Sequence, residues 1–247
     1  MKEKHNVYLI PHFHFDVSWI KTHEEYLKFA FSNILDILNL IEKHGKYRFC
    51  LDQTIMIQAF LKKYPEQIEV FKKALAEKKL ELVCGMYTMP DTNIPSGEFL
   101  VRQFILGKRF VEKSFGIDVE CGWMIDSFGH SLQIPQILSK CGFKYYVFGR
   151  GAPRKIPTEF YWRGIDGSRI LTHWMAKTYV AGWIPTSSGE CIQALSQELP
   201  AITRGLLRSQ SLRWLPISLK KGLEKIDKIF DFLVKLAPTF NILIANG

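Results

Sequence analysis

The sequence predicts an α/β fold, a parallel, seven-stranded β/α barrel-like domain. Short apolar runs alternate with stretches of helical periodicity, which is typical of a parallel sheet covered by helices. The predicted strands are residues 7–10, 47–51, 80–84, 120–125, 145–148, 170–174 and 241–244. The predicted helices are residues 24–43, 54–63, 65–77, 96–115, 133–141 and 219–235. In such folds the polar residues at the carboxyl ends of the strands form the site.

Several helix boundaries carry their own signals. Ser96 lies just before Glu98 and is a suitable N-cap for the helix 96–115. Gly116 and Gly142 follow the last residues of two predicted helices, where a left-handed glycine commonly ends a helix. These signals support the alternation of helices and strands.

Composition and charge narrow the classes of function. The chain has 247 residues, of which 47% are hydrophobic and 23% charged, so we expect an ordered globular domain rather than disorder. The net charge of +9 raises the question of nucleic-acid binding. Basic residues lie beside acidic ones on the predicted helices, as in the pair Glu69 and Lys73, which favours a solvated surface over a nucleic-acid site.

The N-terminus and the cysteines predict a cytoplasmic protein. Before Pro11 there is only a five-residue apolar strand, which is too short for a signal-peptide core or a membrane span. An odd number of cysteines without a CxxC pair fits a reduced compartment better than a disulfide framework. The five cysteines are Cys50, Cys84, Cys121, Cys141 and Cys191.

The first predicted strand ends in HFHFDVSW at residues 12–19. An extended chain has a two-residue period, so His12, His14 and Asp16 project to one side. Imidazole and carboxylate are ligands that zinc accepts, and an oxygen-rich site can keep a position open for substrate. Alternatively these residues only cap loops, but buried histidine and aspartate rarely cluster without a partner.

The fourth predicted strand delivers Asp126 into a turn that contains Phe128 and Gly129. A carboxylate that emerges from an apolar strand in this way is suited to act as a positioned nucleophile. Asp126 could instead cap the helix that begins near Gln133, but Ser131 is better placed for that role. The spacing therefore favours a chemical role.

For three further residues the sequence allows two roles each. Asp91, in the loop after the third strand, either binds substrate hydroxyls or makes an Asx-turn. Arg150, between Gly149 and Gly151, either orients a carboxylate or is a solvated loop arginine. His173 on the sixth strand is either a site residue or a core histidine, and it stays unassigned.

Together these segments resemble glycoside hydrolase family 38, the class II α-mannosidases. The resemblance covers residues 7–179 and lies in HFHFDVSW at 12–19, PDTNIPSGEFLVRQFILGKRF at 90–110 and GWMIDSFGHSLQIPQIL at 122–138. It implies that His14, rather than His12, is a zinc ligand together with Asp16. It further implies that Asp126 is both the catalytic nucleophile and a third ligand. One Zn²⁺ per site is expected, although another divalent ion stays open.

The resemblance also implies substrate-binding residues and a mechanism. Trp19 and Phe128 would shape the mannose subsite, Arg150 would steady the nucleophile, Asp91 would lie at the sugar, and Tyr179 would lie near the site. The implied reaction is retaining hydrolysis of α-mannosidic linkages in glycans, through a covalent mannosyl-enzyme and with zinc bound to the sugar.

The same resemblance implies a catalytic domain that is truncated at its C-terminus. Residues 1–247 would be an incomplete N-terminal domain of the glycoside hydrolase/deacetylase type, without the downstream helical and β-sandwich domains. The acid/base carboxylate would follow the strand at 241–244, and the fourth metal ligand, a histidine, would lie further on. We therefore expect weak metal binding and negligible turnover unless a complementing C-terminal chain supplies the remainder. A homo-oligomer stays open as well.

Two alternative functions remain at this point. A metal-dependent amidohydrolase also begins with HxH at its first strand, but it needs further histidines on later strands and usually a lysine on the fourth. A catalytically inactive remnant that only binds sugar is the other alternative. The segment 185–222 fits the predicted pattern least well, and its fold is not predicted.

Overall fold

The computed structural model describes residues 4–153, 156–182 and 219–246 of the chain. Its strands are β1 (Asn6–Pro11), β2 (Phe49–Leu51), β3 (Leu80–Leu82), β4 (Cys121–Met124), β5 (Tyr145–Phe148), β6 (Glu159–Arg163), β7 (Arg169–Trp174) and β8 (Asn241–Asn246). Its helices are α1 (His23–Lys43), α2 (Thr54–Lys63), α3 (Ile68–Ala76), α4 (Gly97–Phe115), α5 (Ile134–Lys140) and α6 (Leu219–Leu233). A 3-10 turn, Pro65–Gln67, precedes α3.

The strands form a mixed set of sheets. β1 pairs with β8, β2 pairs with β3, and a four-stranded sheet has the order β4-β5-β7-β6. All these pairings are parallel except that of β6 with β7. A bridge between His12 and Cys50 places β1 beside β2, and a 3.0 Å backbone hydrogen bond from Cys84 to Cys121 joins the end of β3 to β4. The fold is therefore mixed α/β, and a closed seven-stranded barrel stays a prediction.

All seven predicted strands are present, and β6 is an addition to them. β6 runs antiparallel to β7 because the two are joined by the short loop 164–168, in which Gly164 N donates to Ser168 O. Phe160 and Trp162 of β6 pack against the core, while Tyr161 between them is exposed. This alternation is typical of a strand that is half-buried.

The predicted boundary signals of α4 are present, whereas the helix predicted at 65–77 begins as the 3-10 turn Pro65–Gln67 and is helical only over Ile68–Ala76. Thr22 and Glu25 form a reciprocal capping box at the start of α1. Ser96 accepts a hydrogen bond from Phe99 N and is the N-cap of α4, as predicted. Gly116, with a φ of 68°, ends that helix in the left-handed conformation. Within the described ranges, every helix is too short or too polar to cross a bilayer.

The core lies between the helices and the sheets, and its largest part joins α1 to α5 with β2 to β7. A second, smaller cluster packs α6 against β8. The predicted segment 185–222 lies outside the described residues up to position 218, as does Cys191. The other four cysteines are free thiols.

Candidate metal centre and active site

The carboxyl ends of β1 and β4 bring three predicted ligands together. His14 and Asp16 follow β1, and Asp126 follows β4. One potential ligand atom from each of the three lies within 4.8 Å of the others. His14 Nε2 lies 4.0 Å from Asp126 Oδ2. The predicted convergence of the two strand ends is therefore present in the fold.

This group of three residues fits one divalent metal ion. Two atoms that are each about 2 Å from an ion lie at most about 4 Å apart, so small side-chain adjustments suffice to place all three around it. One imidazole nitrogen and two carboxylates form a hard, oxygen-rich donor set of the kind that zinc and related ions accept. All three residues are half-buried, which limits competition from solvent.

Asp52 is a site residue that the sequence analysis missed. Its Oδ2 lies 3.2 Å from His14 Nδ1, and its side chain is only 2% exposed. In the neutral ring, a carboxylate that accepts from Nδ1 favours the tautomer whose unprotonated Nε2 faces Asp126, which is the form and orientation that a metal ligand needs. Asp52 directly follows β2, so it occupies the same kind of strand-end position as Asp126. The position of Asp52 at the end of a predicted strand could therefore have identified it from the sequence as a site residue.

The surroundings shift the pKa values of two ligands. Burial opposes a charge on His14, but the hydrogen bond and charge of Asp52, with Asp126 and Asp16, raise its pKa above 6.5. Burial raises the pKa of Asp16, and the nearby carboxylate of Asp126 adds to this effect. Protons on His14 and Asp16 therefore compete with a metal ion for the same ligand atoms.

Two donors hold the other oxygen of Asp126. Arg150 Nε and the Tyr179 hydroxyl both donate to Asp126 Oδ1, the latter at 2.9 Å. The guanidinium of Arg150 also lies over the ring of Phe128, 4.9 Å from its centroid. Burial and the charge of Asp126 raise the pKa of Tyr179 to about 12, so its hydroxyl keeps the proton that it donates. One carboxylate oxygen of Asp126 thus faces His14, and the other accepts hydrogen bonds from Arg150 and Tyr179.

Glycines allow Arg150 to approach Asp126 this closely. A Cβ on Gly149 would collide with the carbonyl oxygen of Ile125, the residue before Asp126. Gly151 has a φ of +78°, a backbone conformation that a side chain strains. The two glycines therefore bring the loop after β5 directly onto the loop after β4.

Asp126 is not a helix cap. The N-cap position of α5 is Gln133, whose side chain makes no capping bond. Ser131 Oγ instead accepts from Gln133 N at 3.3 Å. The carboxylate of Asp126 is therefore available to the site.

A cavity of about 470 Å³ opens beside the ligand group. Phe128 and Asp91 line it, whereas Trp19, which is exposed, is not among the described residues in its wall. Asp91 Oδ1 accepts from Asn93 N and Ile94 N, so this residue does make the turn that was one of its two interpretations. The complete lining is His14, Asp16, Val17, Ser18, Gln53, Thr88, Met89, Pro90, Asp91, Asp126, Ser127 and Phe128.

Two other histidines lie outside the ligand group. His12 is buried, and its Nε2 lies 2.8 Å from the carbonyl oxygen of Tyr179. His173 Nδ1 lies 2.7 Å from a carboxylate oxygen of Glu159 on the neighbouring strand β6. His173 is thus a histidine with a local partner, and His14 alone of these three joins Asp16 and Asp126.

Comparisons with known proteins agree with the motifs. Residues 4–213 match the family described as the glycosyl hydrolases family 38 N-terminal domain. An α-mannosidase of Saccharomyces cerevisiae is 34% identical over 176 residues, covering 68% of this chain and 16% of the yeast protein. Human α-mannosidase 2C1 is 28% identical over 176 residues, covering 70% of this chain and 17% of the human protein. This chain thus spans about a sixth of the length of these relatives.

A solved structure extends the similarity to the fold. The crystal structure of an α-mannosidase from Enterococcus faecalis V583 superposes with a TM-score of 0.75 and 26% identity, over 99% of this chain and 25% of that one. The family match covers well over half of the chain, and it sets the amidohydrolase alternative aside. The chain belongs to glycoside hydrolase family 38, and its residues 4–213 match the N-terminal domain of that family.

Proposed function

We propose that this chain carries the nucleophile and three metal ligands of a retaining α-mannosidase that acts on mannose-containing glycans. One observation supports this proposal above the others: Asp126 presents one oxygen to His14 and the other to Arg150 and Tyr179. A carboxylate held by fixed donors is positioned for attack on an anomeric carbon. Family membership supplies the substrate class.

The metal in this proposal is one Zn²⁺ held by His14, Asp16 and Asp126. When bound, it would engage sugar hydroxyls and favour a distorted ring that approaches the oxocarbenium shape. Asp52 would keep the imidazole of His14 in the tautomer that leaves Nε2 for the metal. The roles of these residues are consistent with their contacts.

The reaction proceeds by two displacements. An oxygen of Asp126 attacks the anomeric carbon while the glycosidic carbon–oxygen bond breaks, and the departing oxygen takes a proton from an acid. Water then attacks the same carbon, loses its proton to the conjugate base of that acid, and releases Asp126, so configuration is retained. Arg150 and Tyr179 hold Asp126 through both steps by donating to Oδ1.

The acid/base is assigned to residues beyond those described. Retention needs a second carboxyl group about 5 to 5.5 Å from the nucleophile. Among the described carboxylates around the cavity beside Asp126, Asp16 is occupied as a ligand and Asp52 is buried against His14. Asp91 is held in a turn by hydrogen bonds from Asn93 N and Ile94 N. We propose that the acid/base and a fourth metal ligand, a histidine, come from further sequence or from a complementing chain, and that residues 1–247 alone turn over poorly.

The cavity beside Asp126 is the proposed mannose subsite. Phe128 gives it an apolar wall and Asp91 gives it a carboxylate. Trp19, which is exposed in the segment after β1 and lies outside the described wall, is proposed to contact the sugar from that side. We further propose that β8, β1, β2, β3, β4, β5 and β7 follow one another in a barrel-like domain of the glycoside hydrolase/deacetylase type, with this cavity at its carboxyl-terminal end.

The test uses a substrate whose departure needs no acid. Dinitrophenolate leaves 2,4-dinitrophenyl α-mannoside without protonation, so Asp126 can become mannosylated even where the acid/base is lacking. Mass spectrometry of the zinc-loaded chain should find one mannosyl group on Asp126, and Asp126→Ala should abolish it. Labelling elsewhere, or labelling that chelator leaves unchanged, would contradict the proposal. Zinc binding without any labelling would favour the inactive, sugar-binding remnant.

A further inference from the structure

Two histidines outside the ligand group contact the two residues that hold Asp126. His12 Nε2 lies 2.8 Å from the Tyr179 carbonyl oxygen, and His130 Nε2 lies 2.9 Å from the Arg150 carbonyl oxygen. A carbonyl oxygen can only accept, so the proton of each imidazole is on Nε2. Tyr179 and Arg150 are the two donors to Asp126 Oδ1. The same arrangement therefore occurs twice around one carboxylate oxygen.

His130 is held in this orientation by a second partner. Its Nδ1 lies 2.8 Å from the hydroxyl of Tyr146, which is fully buried. Because Nε2 carries the proton, Nδ1 accepts and Tyr146 donates. Burial lowers the pKa of His130, in agreement with a neutral ring that uses both nitrogens. The ring of His130 thus links the interior of β5 to the backbone of Arg150.

Arg150 needs an anchor because its side chain is 46% exposed and has many rotamers. Its loop packs closely on the loop that carries His130: a Cβ on Gly151 would lie 3.3 Å from His130 Cδ2. Trp174 Nε1 also donates to the carbonyl oxygen of Gly149, at 3.1 Å. The backbone on both sides of the Arg150 side chain is therefore fixed by neighbouring rings.

We propose that His130 and His12 are positioning residues for the nucleophile. His130 fixes the backbone of Arg150, His12 fixes that of Tyr179, and each keeps a side-chain donor on Asp126 Oδ1. This inference rests on the proposed role of Asp126, but the positioning itself is measurable without turnover.

The first measurement needs neither substrate nor variant. Nitrogen-edited NMR of the full chain, with and without zinc, should show His12 and His130 as Nε2–H tautomers near neutral pH. In the zinc-loaded chain, His14 should instead carry its single ring proton on Nδ1, toward Asp52. The Nδ1–H tautomer at His130 or His12 would overturn the assignment of that residue.

Two variants of His130 distinguish the contribution of its Nε2 from that of its Nδ1. His130→Gln places an amide nitrogen near Nε2 and keeps the donation to Arg150, whereas the shorter side chain of His130→Asn reaches only toward Tyr146. We expect His130→Asn to slow mannosylation of Asp126 about 10- to 100-fold, with zinc content unchanged. His130→Gln should restore most of the rate, and Tyr146→Phe, which leaves the Nε2 donor in place, should resemble it. Equal losses in His130→Gln and His130→Asn would overturn the proposal.

A double-mutant cycle identifies the route of the effect. If His130 acts through Arg150, His130→Asn should cause no further loss in an Arg150→Ala background. Additive losses would instead indicate a general structural role. If the wild-type chain is not mannosylated at all, the proposed function fails, and the Arg150 Nε–H resonance decides this inference separately. That resonance should persist in His130→Gln and disappear in His130→Asn, and its persistence in both variants would refute the positioning role.

Discussion

Asp52 Oδ2 lies 3.2 Å from His14 Nδ1, and this contact leaves the opposite ring nitrogen of His14 facing Asp126. The imidazole therefore lies between a buried carboxylate and the ligand group. Such a partner fixes both the tautomer and the direction of a metal-binding histidine.

Replacement of Asp52 should weaken metal binding although Asp52 touches no metal. We expect Asp52→Asn to reduce zinc affinity about 10- to 100-fold, since the amide no longer favours the Nδ1–H form of His14 as a carboxylate does. Titration calorimetry measures this change. Asp36→Asn, at an exposed position on α1, is the matched control and should bind zinc as the wild type does. Equal affinities of both variants would contradict the role of Asp52.

Zinc binding should weaken as the pH falls. The pKa of His14 is raised because Asp52, Asp126 and Asp16 outweigh the effect of burial. A protonated ring cannot bind metal, so affinity should decline as the pH falls through this raised pKa, beginning above the ordinary value of 6.5. The raised pKa of Asp16 adds a further loss at lower pH.

Calorimetry in buffers of different ionisation enthalpy counts the protons released by zinc. The count should rise as the pH falls toward the pKa of His14, up to about one proton from this ring. In Asp52→Asn the pKa of His14 should be lower, because the carboxylate that raises it is gone while burial still lowers it. Zinc binding should then release fewer protons at the same pH. A proton count independent of pH would refute this account.

Arg150→Lys should separate nucleophile positioning from metal binding. Lysine keeps the positive charge but lacks both the planar group that lies over Phe128 and the Nε–H directed at Asp126 Oδ1. We expect mannosylation of Asp126 to slow by at least about 10-fold, while zinc content stays the same. A loss of this size is typical when a residue that hydrogen-bonds to a functional side chain is replaced. Arg109→Lys, on the exposed side of α4, serves as the control. A loss of zinc in Arg150→Lys would show that Arg150 supports the ligand group as a whole.

Gly149→Ala should impair both stability and labelling. The new Cβ would collide with the Ile125 carbonyl oxygen and push the Arg150 loop away from Asp126. Overpacking of this kind costs about 1–3 kcal/mol of folding free energy. Gly45→Ala is the matched control, because a Cβ there meets nothing within 4 Å. Thermal unfolding compares the two, and equal unfolding temperatures would contradict the close approach of these loops.

Much of the fold was predictable because its signals are local. The seven parallel strands are short apolar runs, and caps such as Ser96 and Gly116 act within one helical turn. β6 escaped prediction because it has mixed polarity, although the alternation of Phe160, Tyr161 and Trp162 was present as a signal.

The site residues likewise include some that local sequence patterns predict and some that they do not. His14, Asp16 and Asp126 were found from strand ends and motifs, and Asp52 was missed although it follows β2 as Asp126 follows β4. The contacts of Asp126 with Arg150 and Tyr179 join residues 24 and 53 positions apart. Such contacts depend on how loops from different strands pack, and no local pattern encodes that packing.

The pairing of β1 with β8 has a consequence for biosynthesis. β1, whose end carries His14 and Asp16, forms six residue pairs with β8 and only a single bridge with β2. A ribosome makes β1 first and must add more than two hundred residues before β8 emerges. Contacts so distant along the chain form late and slowly. We therefore expect the pairing of β1 with β8, and with it the final position of the segment that carries His14 and Asp16, to form only after β8 has been synthesised.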